Sequence, residues 1–344
     1  YIISTSSKGR LPNRDSVKIR RKAVELAIPC LTSIDTANAL AGSLVSRYSE
    51  SNTELVDINN MRKEKMSLKF TKMQSCGNDY IYFDCFHQEI NSPESLSVTL
   101  TDYHYGIGAD GIVLICRSNI ADFKMRTFNR DGSEGKMGGN SIRCVAKYLF
   151  EHGFAKSENM MIETLSGVKD VKVYTRGDKV NSVTVNMGKA NFAPQSLPVL
   201  LDGDKIINRS VTIGDDEYKI NCISMGNPHC VVFHENVDSL NLKKVGKTFE
   251  FAPIFPERVN AEFVSIIDRN TIKMRTWERG SGETLACGTG ACAATVAAVE
   301  NGYCRKDEDI LVKLKGGDLI VRYTDDAVLL TGKAEQVFEG VIEI

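Results

Sequence analysis

The sequence contains no apolar run that approaches the 18 or more residues a membrane-spanning helix needs. Its first residues lack the charged-then-apolar order of a secretory signal peptide. It also lacks any block of five or six like charges, and the formal net charge of the 344 residues is −1. We therefore expect a partner that is neither nucleic acid nor a membrane.

The sequence patterns that bind metals and common cofactors are absent as well. The ten cysteines are scattered without CxxC pairs, and no HExxH occurs, so we expect no metal site. Neither GxGxxG after a strand nor GxxxxGK with Ser or Thr occurs, and no lysine motif for pyridoxal phosphate is apparent, so we expect no cofactor. Free cysteines in a chain without a signal peptide predict a cytoplasmic location.

What the chain does contain is an internal repeat with a constant offset of 149 residues. Residues 123–140, FKMRTFNRDGSEGKMGGN, fall on residues 272–289, IKMRTWERGSGETLACGT. The same offset aligns residues 76–83 with residues 225–232. One offset that serves separated stretches predicts two similar halves.

Each repeat has the pattern of a strand, a glycine-rich loop and a helix. Alternating apolar and charged residues in FKMRTF and TIKMRTW predict the strands, and Gly153 and Gly302 predict the ends of the two helices. The offset sets Gly138 opposite Cys287, at the junction between loop and helix. Because a cysteine there lies next to unpaired N–H groups and the positive end of the helix dipole, we expect Cys287 to favour the thiolate. The alternative is a small buried residue at a helix start.

Two such halves that close on one cleft can place a base on each face of a substrate carbon. Inversion of an α-carbon needs this arrangement, because one thiolate removes the α-proton while a thiol opposite delivers another. The α-carbanion must also be stabilised. The backbone N–H groups of Gly139–Asn140 and Gly288–Thr289 can hold the substrate carboxylate while its charge builds up.

Residues 66–344 resemble the diaminopimelate epimerase family, and the matching stretches are FTKMQSCGNDYIYFD, GIGADGI, FNRDGSE, GGNSIRC, IETLSGVK, SMGNPHCVVF, FPERVNAEFV and WERGSGETLACGTGACAA. The resemblance implies a homodimeric, cofactor-independent isomerase of lysine and peptidoglycan precursor synthesis. It also implies an α/β fold with two pseudo-symmetric halves, each a mixed, largely antiparallel sheet wrapped around a central helix. We expect residues 66–187 with 332–344 to form the first half, and residues 188–331 to form the second.

The resemblance further implies roles for single residues. Cys287 matches one catalytic base, and the second catalytic cysteine of the family belongs at position 138, which is Gly138 here. His229 and Glu278 match residues that tune the thiols. The positions that match substrate-binding residues are Asn78, Asn129, Gly139, Asn140, Asn227, Asn260, Glu278, Arg279, Gly288 and Thr289.

Several of these residues have simpler interpretations. The asparagines can be turn residues that tolerate a left-handed backbone, His229 can be a structural histidine, and Arg279 can be a solvated turn charge. Some family members place a glutamine beside the substrate just after GIGxD, and Gly111 stands there in this chain.

Gly138 has no side chain, so it cannot transfer a proton. Cys76 lies in the CGND stretch near the expected site, whereas Cys144 is six residues along its helix, nearly two turns from the loop. Loss of a positioned general acid or base forfeits about 10²–10⁴-fold in rate. We therefore predict impaired epimerisation of LL- to meso-diaminopimelate. The alternatives are a catalytically inactive diaminopimelate-binding variant and a one-base isomerase of altered chemistry.

Residues 1–65 differ in character from the rest of the chain. Residues 1–55 resemble the C-terminal end of the large subunit of carbamoyl-phosphate synthase. A strand is predicted at the start, a helix from Asp15 and another from Thr32 or Ser33, followed by a polar linker to residue 65. We interpret this segment as a fused or read-through fragment, because the catalytic parts of the synthase are absent.

Overall fold

The first 65 residues form one compact unit and residues 66–344 form another. The computed structural model describes residues 2–3, 15–28, 30–31, 34–45 and 67–344. In the first unit, β1 (Ile2–Ile3) pairs in parallel with β2 (Cys30–Leu31), and the helices are α1 (Asp15–Glu25) and α2 (Ile34–Val45). The helix predicted from Asp15 is confirmed, and the second helix begins within two residues of its predicted start. The predicted linker, residues 49–65, lies outside the described residues.

The second unit begins with eight strands and two helices, which form its first half. The strands are β3 (Ser67–Ser75), β4 (Asn78–Asp84), β5 (Gly111–Cys116), β6 (Phe123–Asn129), β7 (Glu134–Gly135), β8 (Asn159–Thr164), β9 (Gly167–Arg176) and β10 (Lys179–Asn186). The helices are α3 (Pro93–Leu100) and α4 (Gly139–Glu151).

The second half contains a further set of strands and helices. The strands are β11 (Arg209–Ile213), β12 (Asp216–Ser224), β13 (Pro228–Phe233), β14 (Asn260–Asp268), β15 (Thr271–Glu278), β16 (Gly282–Thr284), β17 (Asp309–Leu314), β18 (Gly317–Tyr323) and β19 (Val328–Gly332). The strand β20 (Glu335–Glu343) follows them in the chain and pairs with β3 of the first half. The helices are α5 (Leu242–Glu250) and α6 (Gly288–Glu300), and short 3₁₀ turns lie at Pro194–Ser196 and Val237–Ser239.

The offset seen in the sequence is also the offset of the structure. Adding 149 to the bounds of β3 gives the bounds of β12, and adding 149 to the bounds of α4 gives those of α6. The strand pairing repeats in the same way. In each half an antiparallel pair is followed by a parallel pair, as in β3–β4–β5 and β12–β13–β14. This pattern confirms two pseudo-symmetric halves with mixed, largely antiparallel sheets.

Two further pairings connect the strands of the unit. β10 pairs antiparallel with β19, so the strands of the two halves form one hydrogen-bonded network. β20 pairs antiparallel with β3, and the end of the chain therefore returns to the strand that begins the unit.

The main core surrounds the two helices that follow the glycine-rich loops. Eight consecutive residues of α6, Ala291–Ala298, are buried, as expected for a helix that is enclosed on all sides. α4 buries Ile142, Val145 and Leu149 in the same core cluster. Each sheet thus wraps around a central helix, as predicted. Within the described part of the chain, no helix is both long enough and apolar enough to span a bilayer.

Candidate functional site

The N-termini of the two central helices meet at a pair of glycines. A Cβ atom on Gly139 would lie 3.7 Å from Cα of Gly288, and a Cβ on Gly288 would lie 3.5 Å from Cα of Gly139. Both added atoms would also press against Cδ2 of Leu330, at 3.0 and 3.1 Å. The two backbones can approach this closely because neither residue has a side chain. Positions 138 and 287, which cap the two helices, therefore flank this contact.

Helix N-termini leave backbone N–H groups without intrahelical partners. In α4 the first helical bond runs from the N–H of Ile142 to the carbonyl of Gly138, and in α6 from the N–H of Ala291 to the carbonyl of Cys287. Four N–H groups precede these bonds in the two helices, and they belong to Gly139, Asn140, Gly288 and Thr289. Two helix starts with their positive dipole ends therefore converge on one small region, which suits a carboxylate.

Cys287 caps α6 and is 6% exposed. Its sulfur accepts a hydrogen bond from the N–H of Gly290 at 3.4 Å and lies 3.5 Å from Oγ1 of Thr289. Burial nevertheless raises the pKa of the Cys287 thiol well above its usual range, and the carboxylates of Glu278 and Glu262 raise it further. The expectation that the helix start favours the thiolate was therefore wrong, because burial and two nearby anions outweigh the two hydrogen bonds.

Glu278, at the end of β15, is the acceptor beside this thiol. Its carboxylate interacts with the Cys287 side chain and accepts a hydrogen bond from Oγ1 of Thr284 at 2.5 Å. Burial raises the pKa of Glu278, and the hydrogen bonds from Thr284 and Cys287 oppose that rise. The thiol and the carboxylate therefore interact, and burial favours the protonated form of each.

Gly138 occupies the same place at the start of α4, in an extended conformation. A Cβ atom there would meet Oγ of Ser141 at 3.0 Å and no other atom closer than 3.9 Å. The Ser141 hydroxyl donates to the carbonyl of Gly138 at 3.0 Å. The position thus has room for a side chain, and it carries no group that titrates near neutral pH.

Burial also raises the pKa of the other two cysteines that could supply the missing base. Cys144 is fully buried in the core, and burial raises its pKa to about 11. The Cys76 thiol lies beside Ser75 and the Arg143 guanidinium, and burial raises its pKa too.

His229, on β13, is fully buried in a chain of polar contacts. Its Nδ1 lies 2.8 Å from Oε1 of Glu262, and its Nε2 lies 3.0 Å from Oδ1 of Asn227. The Asn227 amide in turn donates to Oγ1 of Thr289 at 3.2 Å. This network connects a buried histidine–carboxylate pair to the start of α6 and to the neighbours of Cys287.

The asparagine side chains of the first half form hydrogen bonds near the starts of both central helices and with an aspartate. Asn140 lies at the start of α4, and its Nδ2 lies 3.4 Å from Oδ1 of Asn78 and 3.4 Å from the carbonyl of Ala286 in the second half. Asn78, at the start of β4, donates to Oδ2 of Asp110 at 2.6 Å. Asn129, at the end of β6, donates to Oγ of Ser133 at 3.0 Å.

Asn260 and Arg279 meet at the edge of the second half. Asn260 is buried, and its Oδ1 accepts the backbone N–H of Arg279 at 2.9 Å. The Arg279 side chain is exposed and donates to the carbonyl of Glu257 at 3.2 Å. Asn78, Asn129, Asn227 and Asn260 all have a negative φ, so none of them is placed by a left-handed turn.

Three polar residues of this region were not predicted. Asp110 binds Asn78, Glu262 binds His229, and Arg143 is fully buried beneath the start of α4. Arg143 donates to the carbonyl of Gly139 at 2.7 Å, to Oγ of Ser75 at 2.6 Å and to Oδ1 of Asn140 at 2.7 Å. A single charged residue within an otherwise buried segment was the only sequence feature that could have identified Glu262 and Arg143. No group of three or more His, Cys, Asp or Glu side chains in the described segments could hold a metal ion.

Comparisons with known proteins show which proteins this chain is similar to. A family model described as diaminopimelate epimerase matches residues 70–193 and 221–337. The diaminopimelate epimerase of Acetivibrio thermocellus is 48% identical over 279 residues, which cover 80% of this chain and 99% of that protein. The corresponding enzyme of Methanococcus maripaludis is 47% identical over 279 residues, with 80% and 100% coverage. Among solved structures, a hydroxyproline epimerase from Agrobacterium vitis shares the fold with a TM-score of 0.61 at 14% identity, covering 83% of this chain and 94% of that one.

Proposed function

This chain belongs to the diaminopimelate epimerase family, and we propose that it binds diaminopimelate between its two halves and moves the α-proton from one face only. The observation that carries the proposal is the meeting of two helix N-termini, one capped by Cys287 and the other by Gly138. The two relatives that are 47% and 48% identical to this chain are diaminopimelate epimerases, which supports diaminopimelate as the substrate.

In this proposal the free N–H groups of the two helix starts bind the carboxylate on the reacting carbon. The positive ends of both helix dipoles face that carboxylate, so its negative charge is stabilised as the α-carbanion forms. Asn78, Asn227 and the other predicted amides hold the remaining polar groups of the substrate. A buried Arg143 that bonds both Gly139 and Asn140 adds positive charge beneath this anion site.

Cys287 is the base in this mechanism. Its thiol is protonated at rest because burial raises its pKa, so it must first pass its proton to Glu278, with which it interacts. The thiolate then removes the α-proton of the stereoisomer that presents that proton to its face. Return of a proton from the same thiol restores the same configuration.

The opposite face lacks a proton donor in this proposal, because Gly138 has no side chain. A water molecule there would be a weak and unpositioned acid, so inversion is expected to be slower by about 10²–10⁴-fold than with a positioned thiol. A catalytically inactive binder of diaminopimelate is the second candidate, which the raised pKa of Cys287 also favours. The homodimer and the cytoplasmic location stay predictions.

Deuterium exchange distinguishes these candidates. LL- and meso-diaminopimelate are each incubated in D₂O with the unaltered protein and with its Cys287→Ala variant, and loss of the α-proton is followed by proton NMR. We expect exchange without inversion at centres of one configuration only, and none with Cys287→Ala. Exchange at both configurations, or exchange that survives Cys287→Ala, would contradict the one-face mechanism. Binding without any exchange would identify the inactive binder.

A further inference from the structure

Tyr80 lies on β4 between the site and the core. Its partner in the parallel ladder is Gly111 on β5, and Gly111 is in turn paired with Asn129 on β6. The Tyr80 ring covers Gly111, since a Cβ atom there would meet Cε1 of the ring at 2.7 Å and the carbonyl of Phe128 at 2.3 Å. Gly111 therefore makes room for the ring.

The Tyr80 hydroxyl lies among groups from both halves of the unit. It interacts with the Asn78 side chain, and the carboxylates of Asp110 and Glu278 both act on it electrostatically. Burial, followed by Asp110, raises the pKa of Tyr80 to about 12, so the phenol is neutral at any working pH. Oδ1 of Asn78 lies 3.4 Å from the Asn140 amide at the start of α4, so the phenol neighbours the side chains that surround the proposed anion site.

Asp110 has one carboxylate oxygen that is not used by the protein. Its Oδ2 accepts both the Asn78 amide at 2.6 Å and the backbone N–H of Asp79 at 3.2 Å. Among residues 67–344, no hydrogen bond reaches Oδ1 of Asp110. Asp79 itself is neutralised by Lys72, whose Nζ lies 2.6 Å from it. The Arg130 guanidinium stacks over the Tyr103 ring, 4.7 Å from its centre, and only slightly offsets the charge of Asp110.

We propose that Tyr80 contacts the substrate, with its phenol oxygen accepting a hydrogen bond from the ammonium group on the reacting α-carbon. The inference rests on the proposed function, since it requires an amino-acid substrate between the halves. The carboxylates of Asp110 and Glu278 both act on the hydroxyl electrostatically. They attract an ammonium and repel a carboxylate, whereas the helix starts of α4 and α6 have the opposite preference. The α-carboxylate and α-ammonium of one substrate are thereby directed to different partners.

Calorimetric titration with two ligands tests this assignment. LL-diaminopimelate carries the ammonium groups, and pimelate has the same dicarboxylate chain without them. The proteins compared are the unaltered chain, Tyr80→Phe and Tyr82→Phe. Tyr82 is the matched control because it lies two residues further along the same face of β4, where its hydroxyl is directed at the Ser141 carbonyl, 3.4 Å away, and at Cys144.

Tyr80→Phe is expected to weaken diaminopimelate binding by about 10-fold or more, the usual effect of losing a hydrogen bond to a charged group. Pimelate affinity, measured by competition at millimolar concentration, should not change, and Tyr82→Phe should change neither. Equal weakening of both ligands would show that Tyr80 only shapes the pocket, and an unchanged diaminopimelate affinity would also overturn the proposal. If the unaltered chain does not bind diaminopimelate at all, the proposed function fails and this contact fails with it.

Discussion

The protonation of Cys287 is decided by several opposing contacts. The N–H of Gly290 and the hydroxyl of Thr289 stabilise the thiolate, while burial and the carboxylates of Glu278 and Glu262 favour the thiol. The second group of effects is larger, so the thiol needs an acceptor before it can act as a base. Glu278 is in contact with it and fits that role.

Glu278→Gln should therefore lower the rate of the deuterium exchange catalysed by Cys287 by about 10²–10⁴-fold, since the amide cannot accept a proton.

In the unaltered protein, the exchange rate should fall as the pH drops and Glu278 becomes protonated. Because burial raises the pKa of Glu278, this decline should be centred above pH about 4.3, the value for a free glutamate side chain. Glu283→Gln is the control, as that carboxylate pairs with Arg275 and Lys315. A full exchange rate in Glu278→Gln would exclude the relay.

Arg143 is predicted to stabilise both the fold and the anion site. Arg143→Met leaves the Ser75 hydroxyl and the Asn140 amide oxygen without the guanidinium donor, and the Gly139 carbonyl keeps only its helical partner. Each buried polar group left unsatisfied costs about 1–3 kcal/mol. Urea denaturation should show a loss of about 3 kcal/mol or more, with weaker diaminopimelate binding. Arg126→Met, which removes a partly exposed ion pair with Glu134, should cost less than about 1 kcal/mol. Equal losses in the two variants would refute this role.

Single site residues could be predicted from the family resemblance and from the repeat, but their contacts in the folded chain could not. Cys287, Gly138 and the paired glycines were found because the 149-residue offset aligns them. Arg143 was missed since its three acceptors come from β3 and the start of its own helix, and only the folded chain brings them together. The pKa of Cys287 was misjudged because burial dominates it, followed by the carboxylates of Glu278 and Glu262, which only the fold brings to the thiol.

The elements of this unit are positioned around the contact between α4 and α6. Strand and helix patterns in the two repeats predicted both helices and their glycine ends, and Gly153 and Gly302 do adopt positive φ values of 75° and 76°. The contact itself could not be predicted, because the distance between two helix starts depends on how both sheets wrap around them.

Gly139→Val should therefore push the two helix starts apart. The new side chain would meet Leu330 and the Gly288 backbone, and overpacking of this kind costs about 1–3 kcal/mol. Differential scanning calorimetry should show a lower midpoint, and titration should show loss of diaminopimelate binding. Gly138→Ala is the matched control at the neighbouring residue, where an added Cβ meets only the Ser141 hydroxyl. If Gly139→Val binds the ligand normally, the anion site does not depend on this contact.

For the whole molecule, the described functional residues all lie in the unit formed by residues 66–344. The family model matches residues 70–193 and 221–337 of the same unit, and the fold class was predictable because the repeat and the family stretches extend through it. The resemblance of residues 1–55 to the C-terminal end of the large subunit of carbamoyl-phosphate synthase stays a prediction.

Removal of residues 1–65 should leave the exchange activity unchanged. A chain that begins at Met66 retains both central helices, Cys287 and all of the predicted substrate-binding residues. The exchange rate and the diaminopimelate affinity should equal those of the full chain. A reduced rate in the shorter chain, with its thermal midpoint unchanged, would indicate that the first unit has a role in the site.

We propose that this protein is an epimerase that lacks one of its two bases. The most direct test of this claim is the rate of meso-diaminopimelate formation from LL-diaminopimelate for the unaltered chain, Gly138→Cys and Gly138→Ala, measured under identical conditions. We expect Gly138→Cys to invert the substrate at least about 10²-fold faster than the other two, which should behave alike. Equal rates for the unaltered chain and Gly138→Cys would contradict the claim, as would inversion by none of the three.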